Sequence, residues 1–236
     1  KYGVNSKEIQ DTYLRLDLDL ERLLNNLDKS VGAGEYTLFL TADHGAIDVA
    51  AYLKDQKIPA DYMDWAKINN EFSQFLKFTY GTTDLVKNFS NNQFFLDHQL
   101  VKSLDLDLRQ VQETLAKELL NYKGIDQTYT AYQMWQNQYT EGLPSVLQNG
   151  YNQKRSGDIL VVLAPGTVTS MTVSTHGSPQ IYDTHVPLLF YGKGIKRGST
   201  SKRTEIPDIA PTLASLLGIA FPNGTTGTPI VDVLDQ

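Results

Sequence analysis

A chain of 236 residues with 41% hydrophobic and 20% charged side chains is sized and composed for one large or two small soluble globular domains. Its formal net charge of −6 argues against a surface built to grip nucleic acid or an anionic membrane, though not against a phosphorylated substrate held by metals or a few local cations. No apolar run approaches the roughly 20 residues that span a bilayer, no signal peptide is expected within these residues, and the absence of cysteine excludes disulfides and thiolate metal sites.

The chain opens KYGVNSKEIQ, without an initiator Met, and this leads to the expectation of a piece of a longer protein. Asn5 to Asp28 is expected to be helical, because Ile9, Tyr13, Leu16, Leu20, Leu23 and Leu27 recur at spacings of four and three. Asn5 and Glu8 fit a capping box, with Ser6 as the other candidate cap, and Gly32 and Gly34 stop the helix. Tyr36 to Ala42 (YTLFLTA) is a strand with apolar residues on both faces, as in a sheet covered by helices on two sides. Helix, short glycine loop and apolar strand together make an α/β unit.

From Pro59 to about Lys154 the composition shifts toward Asn, Gln, Tyr and Phe. MDWAKINNEFSQFLKFTYG is expected to be helical, with Trp65, Ile68, Phe72 and Leu76 on one face. QFFLDHQLV is a candidate strand, and DLRQVQETLAKELLNY a helix aligned on Leu108, Val111, Leu115 and Leu119. GIDQTYTAYQ suggests a strand and EGLPSVLQNGYN a short helix. This pattern predicts a small α+β subdomain at residues 59–154, inserted into a core formed by residues 1–58 and 155–236. The core sheet is expected to resume at Gly157 to Gly166 (GDILVVLAPG), a doubly buried strand, and to continue at His185 to Ile195 (HVPLLFYGKGI). EIPDIAPTLASLLGI then forms a helix with Pro near its start, Ile209, Leu213, Leu216 and Leu217 inward, and Gly218 as its cap.

There are four histidines. Asp43 and His44 follow the first strand, and strand ends are where open α/β sheets bind ligands. A carboxylate in such a place is tolerable when a cation holds it, and imidazole is the commonest neutral metal ligand. An Asp/His set without thiolate suits catalytic zinc, or manganese and other harder divalent ions. The competing reading makes Asp43 a cap for the helix that follows in HGAIDVAAYL, with His44 a structural residue. His176 lies in TVSTHGSPQ, a loop of small polar residues, and is a second candidate ligand. His185, before Val-Pro, is either a supporting or substrate-side residue or only the start of a strand. His98 lies among Phe and Leu and is expected to be structural.

Taken in order, TADHG, STHGSPQIYDTHVPLLFYGKGIKRG and TEIPDIAPTLASLLGI resemble the alkaline phosphatase superfamily. The nearest branch is that of the monomeric, nucleotide-pyrophosphatase-like bacterial alkaline phosphatases. The same order recurs in sulfatases and phosphoglycerate mutases. The resemblance covers both ends of the chain well and the middle loosely. It implies an α/β fold with a doubly wound, mostly parallel sheet and helices on both faces. It also implies a site for two zinc ions. Asp43 and His44 map onto ligands of one ion and His176 onto a ligand of the other, with His185 as an alternative. The family's Asp-x-x-x-His motif and its Thr or Ser nucleophile would lie before Lys1, so no catalytic nucleophile is expected in this chain. On this resemblance the chain is a little under half of an enzyme that hydrolyses phosphate monoesters through a phospho-Thr or phospho-Ser intermediate, and by itself inactive. Its expected partners are small phosphorylated substrates and the missing part of the same polypeptide, with no nucleic acid and no membrane. The implied location is periplasmic or secreted. A phosphodiesterase or nucleotide pyrophosphatase of the same superfamily is the alternative enzyme, and a non-catalytic binding domain on the same fold is the alternative outside enzymes. A sulfatase is less expected, since His176 stands where that branch tends to use Lys.

Overall fold

The computed structural model describes residues 2–169 and 173–235. Along the chain run α1 (Lys7–Ser30), β1 (Thr37–Thr41), α2 (Ala50–Asp55), β2 (Asp61–Tyr62), α3 (Trp65–Tyr80), β3 (Val86–Ser90), β4 (Gln93–Leu96) and α4 (His98–Ser103). There follow α5 (Leu108–Leu119), β5 (Ile125–Thr130), α6 (Ala131–Gln136), α7 (Gly142–Gly150), β6 (Ile159–Leu163), β7 (Thr167–Val168), α8 (Ile181–Thr184), β8 (Leu188–Gly192) and α9 (Ile209–Leu217). The class is α/β. The chain divides into two units, one of residues 1–10 and 44–185 and the other of residues 11–43 and 186–236.

The first unit is built on a four-stranded antiparallel sheet of order β3-β4-β6-β5. β6 is one of its two interior strands, and all five of its residues (ILVVL) are buried. The sequence places this run in the core sheet; instead it pairs with β4 and β5, strands of the middle region. The reason is that a strand covered on both faces reads as an unbroken apolar run whichever sheet it joins. The expected boundary at 154/155 therefore falls just before a strand that belongs with the strands ahead of it. β3 and β4 form a hairpin across Asn91 and Asn92, both with positive φ, 51° and 57°. Two left-handed residues in a row match the right-handed twist of the flanking strands, and Asn tolerates that conformation. QFFLDHQLV splits at Asp97, whose carboxylate accepts from the amides of Gln99 and Leu100 and so starts α4 where a longer strand was expected.

α3 and α5 form as their periodicity predicts. Asp64 and Asp107 cap them by accepting from the amides of Lys67 and Gln110, and Gly81 ends α3 with φ 76°. Ile68, Phe72 and Leu76 of α3 and Val111, Leu115 and Leu119 of α5 are buried in one core with Leu85, Phe94, Ile159 and Val161. Within this core sits one buried carboxylate, Asp158. It accepts from Leu96 N (2.8 Å), His98 Nε2 (2.8 Å) and Gln112 Nε2 (2.9 Å). Each lone pair that burial strips of water is replaced. His98 is exposed and bonds to Asp158 from the surface.

In the second unit β1 and β8 pair antiparallel, from Thr37 opposite Gly192 to Thr41 opposite Leu188. The predominance of parallel pairing expected for the sheet is not seen among the described residues, where β2 and β7 pair parallel and the other strand pairs are antiparallel. Antiparallel pairing does not require a short connection here: β1 and β8 are separated by the whole of the first unit's long segment. β1 was expected to be covered on both faces, yet it is half-buried, with Phe39, Leu189 and Tyr191 exposed. α1 forms over the expected span but buries no residue fully, and Tyr13, Leu16 and Leu23 of its apolar stripe are exposed. α9 ends at Gly218 with φ 64°, as expected; Ile209 is buried, whereas Leu217 is exposed rather than inward.

Two outcomes follow. Replacing Asp158 with Ala leaves three donors without an acceptor in the core, so urea unfolding should show a loss of about 3 kcal/mol. Second, Lys123, the Tyr62 amide and Lys54 hold the Asp61 carboxyl well below its ordinary value of 3.8. Its folded value lies below its unfolded one, so the stabilisation is present above about pH 4 and is lost as pH falls toward the folded value. The unfolding midpoint should drop with acid below pH 4, and Asp61→Asn should flatten that part of the profile.

Candidate functional site

Two segments of the first unit, distant in sequence, are zipped together. Ile47 N donates to Thr175 O at 3.0 Å, and the Ser174 hydroxyl donates to Ile47 O. Gly45 N donates to Asp183 O at 2.7 Å. A Cβ on Gly45 would collide with the carbonyl oxygen of Tyr182, so this approach requires glycine.

The zipper brings His44 and His176 face to face. Their ring centroids are 3.7 Å apart and their planes differ by 10°. His44 Nδ1 lies 2.7 Å from Gly45 O, so this nitrogen carries the proton and donates it. That tautomer makes Nε2 the nitrogen with the lone pair, the form in which a histidine ligates a metal. Neutral imidazole is a common metal ligand, so the donor chemistry is compatible with a divalent ion, and the ligand set is partial. Among the described residues no group of three or more His, Asp and Glu is placed to hold a metal ion.

Asp43 ends the second unit's first segment and His44 opens the first unit's long one. The capping role considered for Asp43 is not the one it plays. α2 begins seven residues later, its N-cap is Val49, and no side chain caps it. His185 does not begin a strand. It closes the short helix α8, with its amide bonded to Ile181 O at 2.9 Å, and β8 starts only at Leu188.

A cavity of about 540 Å³ lies beside the zipper, lined by Ile47, Trp65, Thr175, His176, Ser178 and Asp183 among others. A slightly larger one, about 610 Å³, surrounds His98 and Asp158. The smaller holds the better candidate chemistry. Asp158 has its acceptor capacity filled by three donors, whereas Asp183, only 4% exposed, has a buried Oδ1 with no hydrogen-bond partner among the described residues. Asp183 Oδ2 accepts from the amide of Ser178 at 2.7 Å and from its hydroxyl. The sequence reading gave Asp183 no role. Its only signal was membership in the YDTHVPLLFYG stretch; its hydrogen bonds exist only once the chain has folded.

Comparison with known proteins gives the family of the chain. The family model described as type I phosphodiesterase / nucleotide pyrophosphatase matches residues 1–186. The chain is 39% identical over its whole length to a protein of Myroides odoratus named calcium-transporting ATPase, covering 44% of it. It is 37% identical over its whole length to alkaline phosphatase PafA of Elizabethkingia meningoseptica, covering 43% of it. The crystal structure of wild-type alkaline phosphatase PafA superposes with a TM-score of 0.90 at 38% identity, over 99% of this chain and 45% of that one. The chain therefore spans somewhat under half the length of these relatives. With the α/β architecture, the D-H-G strand end and the family match in agreement, this chain belongs to the type I phosphodiesterase / nucleotide pyrophosphatase family, alongside the PafA-like alkaline phosphatases.

Proposed function

We propose that this chain carries part of a two-zinc phosphoesterase site: Asp43 and His44 as ligands of one ion, His176 as a ligand of the other. The observation that carries the reading is the parallel stack of His44 on His176, whose segments are joined by main-chain hydrogen bonds and by the Ser174 hydroxyl. Bound zinc would supply Lewis acidity toward a phosphate oxygen and a clamp on the attacking and leaving oxygens of an in-line displacement. The protein's own part is to bring the two rings together and to set the tautomer of His44. Gly45 O keeps the proton on His44 Nδ1, and the zipper of Ile47 on Thr175 keeps the His176 loop beside it. His185, at the end of α8, is an alternative supporting residue.

The reaction we infer is hydrolysis of phosphate monoesters through a phospho-Thr or phospho-Ser intermediate, with the nucleophile outside this chain. The alkaline phosphatase relative supports a monoester; the family's description favours as second reading a phosphodiester or nucleotide pyrophosphate. Small phosphorylated molecules are the proposed substrates, and a periplasmic or secreted location the proposed setting. The exposed Phe39, Leu189 and Tyr191 of the β1–β8 ribbon and Tyr13 and Leu16 of α1 support a further partner. We assign it to a segment of the kind that makes up the remainder of the longer relatives, because apolar surface of this extent is normally covered.

Zinc calorimetry tests the assignment. The chain should bind Zn²⁺ more weakly than nanomolar, since a firm zinc site needs three or four protein ligands. His44→Ala and His176→Ala should each lower affinity about tenfold or more, and His98→Ala should leave it unchanged. Nanomolar binding, or equal losses in all three variants, would count against these ligands. With p-nitrophenyl phosphate and zinc the chain should show little or no turnover. A rate comparable to an intact phosphatase would refute the placement of the nucleophile outside it.

A further inference from the structure

Asp183 joins both histidine segments through different atoms. Its main-chain oxygen accepts from Gly45, the residue after His44. Its side-chain Oδ2 accepts twice from Ser178, two residues after His176. The neighbouring Ile47–Thr175 and Ser174–Ile47 bonds fasten the two segments directly to each other, beside His176 but three residues after His44.

The remaining oxygen is the unusual part. A buried carboxylate stripped of water is costly unless each oxygen finds a donor or a cation. Asp158, in the same unit, meets that demand with three donors. Asp183 does not: Oδ2 is doubly satisfied and Oδ1 is buried without a partner among the described residues. The residue lines the 540 Å³ cavity together with His176, Thr175 and Ser178. A carboxylate oxygen left without a donor in the cavity that His176 lines favours a cation entering that cavity.

We propose that Asp183 is the positioning residue of the His44–His176 pair and the uncompensated carboxylate that draws a divalent cation to it. The positioning half stands on the hydrogen bonds alone; the charge half rests on the zinc reading above. Two substitutions separate them. Asp183→Ala removes the staple to Ser178 and the charge together. Asp183→Asn keeps an oxygen for the Ser178 amide and hydroxyl and removes only the charge.

The first readout is NMR of the purified protein without added metal. Stacked imidazoles shift each other's carbon-bound protons upfield by ring current. In Asp183→Ala those shifts at His44 and His176 should collapse, while His98 and the amide protection of Val161 and Val162 in β6 stay as in the parent. Unchanged ring-current shifts overturn the positioning role. Where Asp183→Ala loses the β6 protection as well, Ser178→Ala takes its place: a partial collapse supports the staple and none overturns it. The second readout is Zn²⁺ titration of Asp183→Asn. The ring-current shifts should persist while zinc affinity falls about tenfold, the size typical of residues behind the direct ligands. Undiminished affinity overturns the charge role. Failure of the zinc reading itself shows differently, as His44→Ala and His176→Ala variants that keep full zinc affinity, and it leaves the metal-free ring-current result standing.

Discussion

The arrangement at the site depends on main-chain contact between residues 45–47 and residues 175–183. Gly45 N on Asp183 O and Ile47 N on Thr175 O are ordinary hydrogen bonds of 2.7 and 3.0 Å. Individually each contributes about 1 kcal/mol. Their importance is geometric. They convert two histidines far apart in sequence into a parallel pair at 3.7 Å, and they do so with backbone atoms whose positions no rotamer change can alter. The absence of a side chain at residue 45 is the condition for that contact, because any Cβ there meets the Tyr182 carbonyl. The constraint passes from sequence to backbone, and the backbone brings the two rings within stacking distance.

Two buried carboxylates of this unit, Asp158 and Asp183, show how one chemistry serves different ends. Asp158 sits among Leu96, His98 and Gln112 with donors on both oxygens, and so locks β6 to the start of α4 and to α5. Asp183 is buried to a similar degree but is satisfied on one oxygen only. A core tolerates the first arrangement because desolvation is offset by hydrogen bonds to a charged acceptor. The second is a local departure from that consistency, and such departures concentrate at functional sites.

What was legible in the sequence follows the reach of its signals. α3, α5 and α9 were readable because a helix repeats its contacts every three or four residues, and the repeat survives in Ile68, Phe72 and Leu76 or Val111, Leu115 and Leu119. β6 was readable as a buried strand but not as a member of a particular sheet, since ILVVL specifies burial and leaves partners open. β3 was missed because VKNFS is short and mostly polar, and its pairing depends on the Asn91–Asn92 turn. His44 and His176 were singled out through motif order, which reflects resemblance to relatives rather than spacing, and the structure stacks their rings. Asp183 was illegible because its role combines a carbonyl and a carboxylate facing opposite partners, and no one-dimensional pattern encodes that.

The same clasp has a consequence for how the chain reaches its fold. Thr37 and Lys193, joined across the β1–β8 ribbon, are 156 residues apart. Closing so long a loop from an unfolded chain carries a large entropic cost, and pairings of this separation form slowly. Gly45 and Asp183 mark the entry and exit of the segment between, and their hydrogen bond sets those two points side by side. Once that segment has folded, the effective loop between β1 and β8 shrinks to a few residues at each end. The bond that aligns the imidazoles thus also acts as the hinge pin of assembly, making a long-range strand pairing kinetically local.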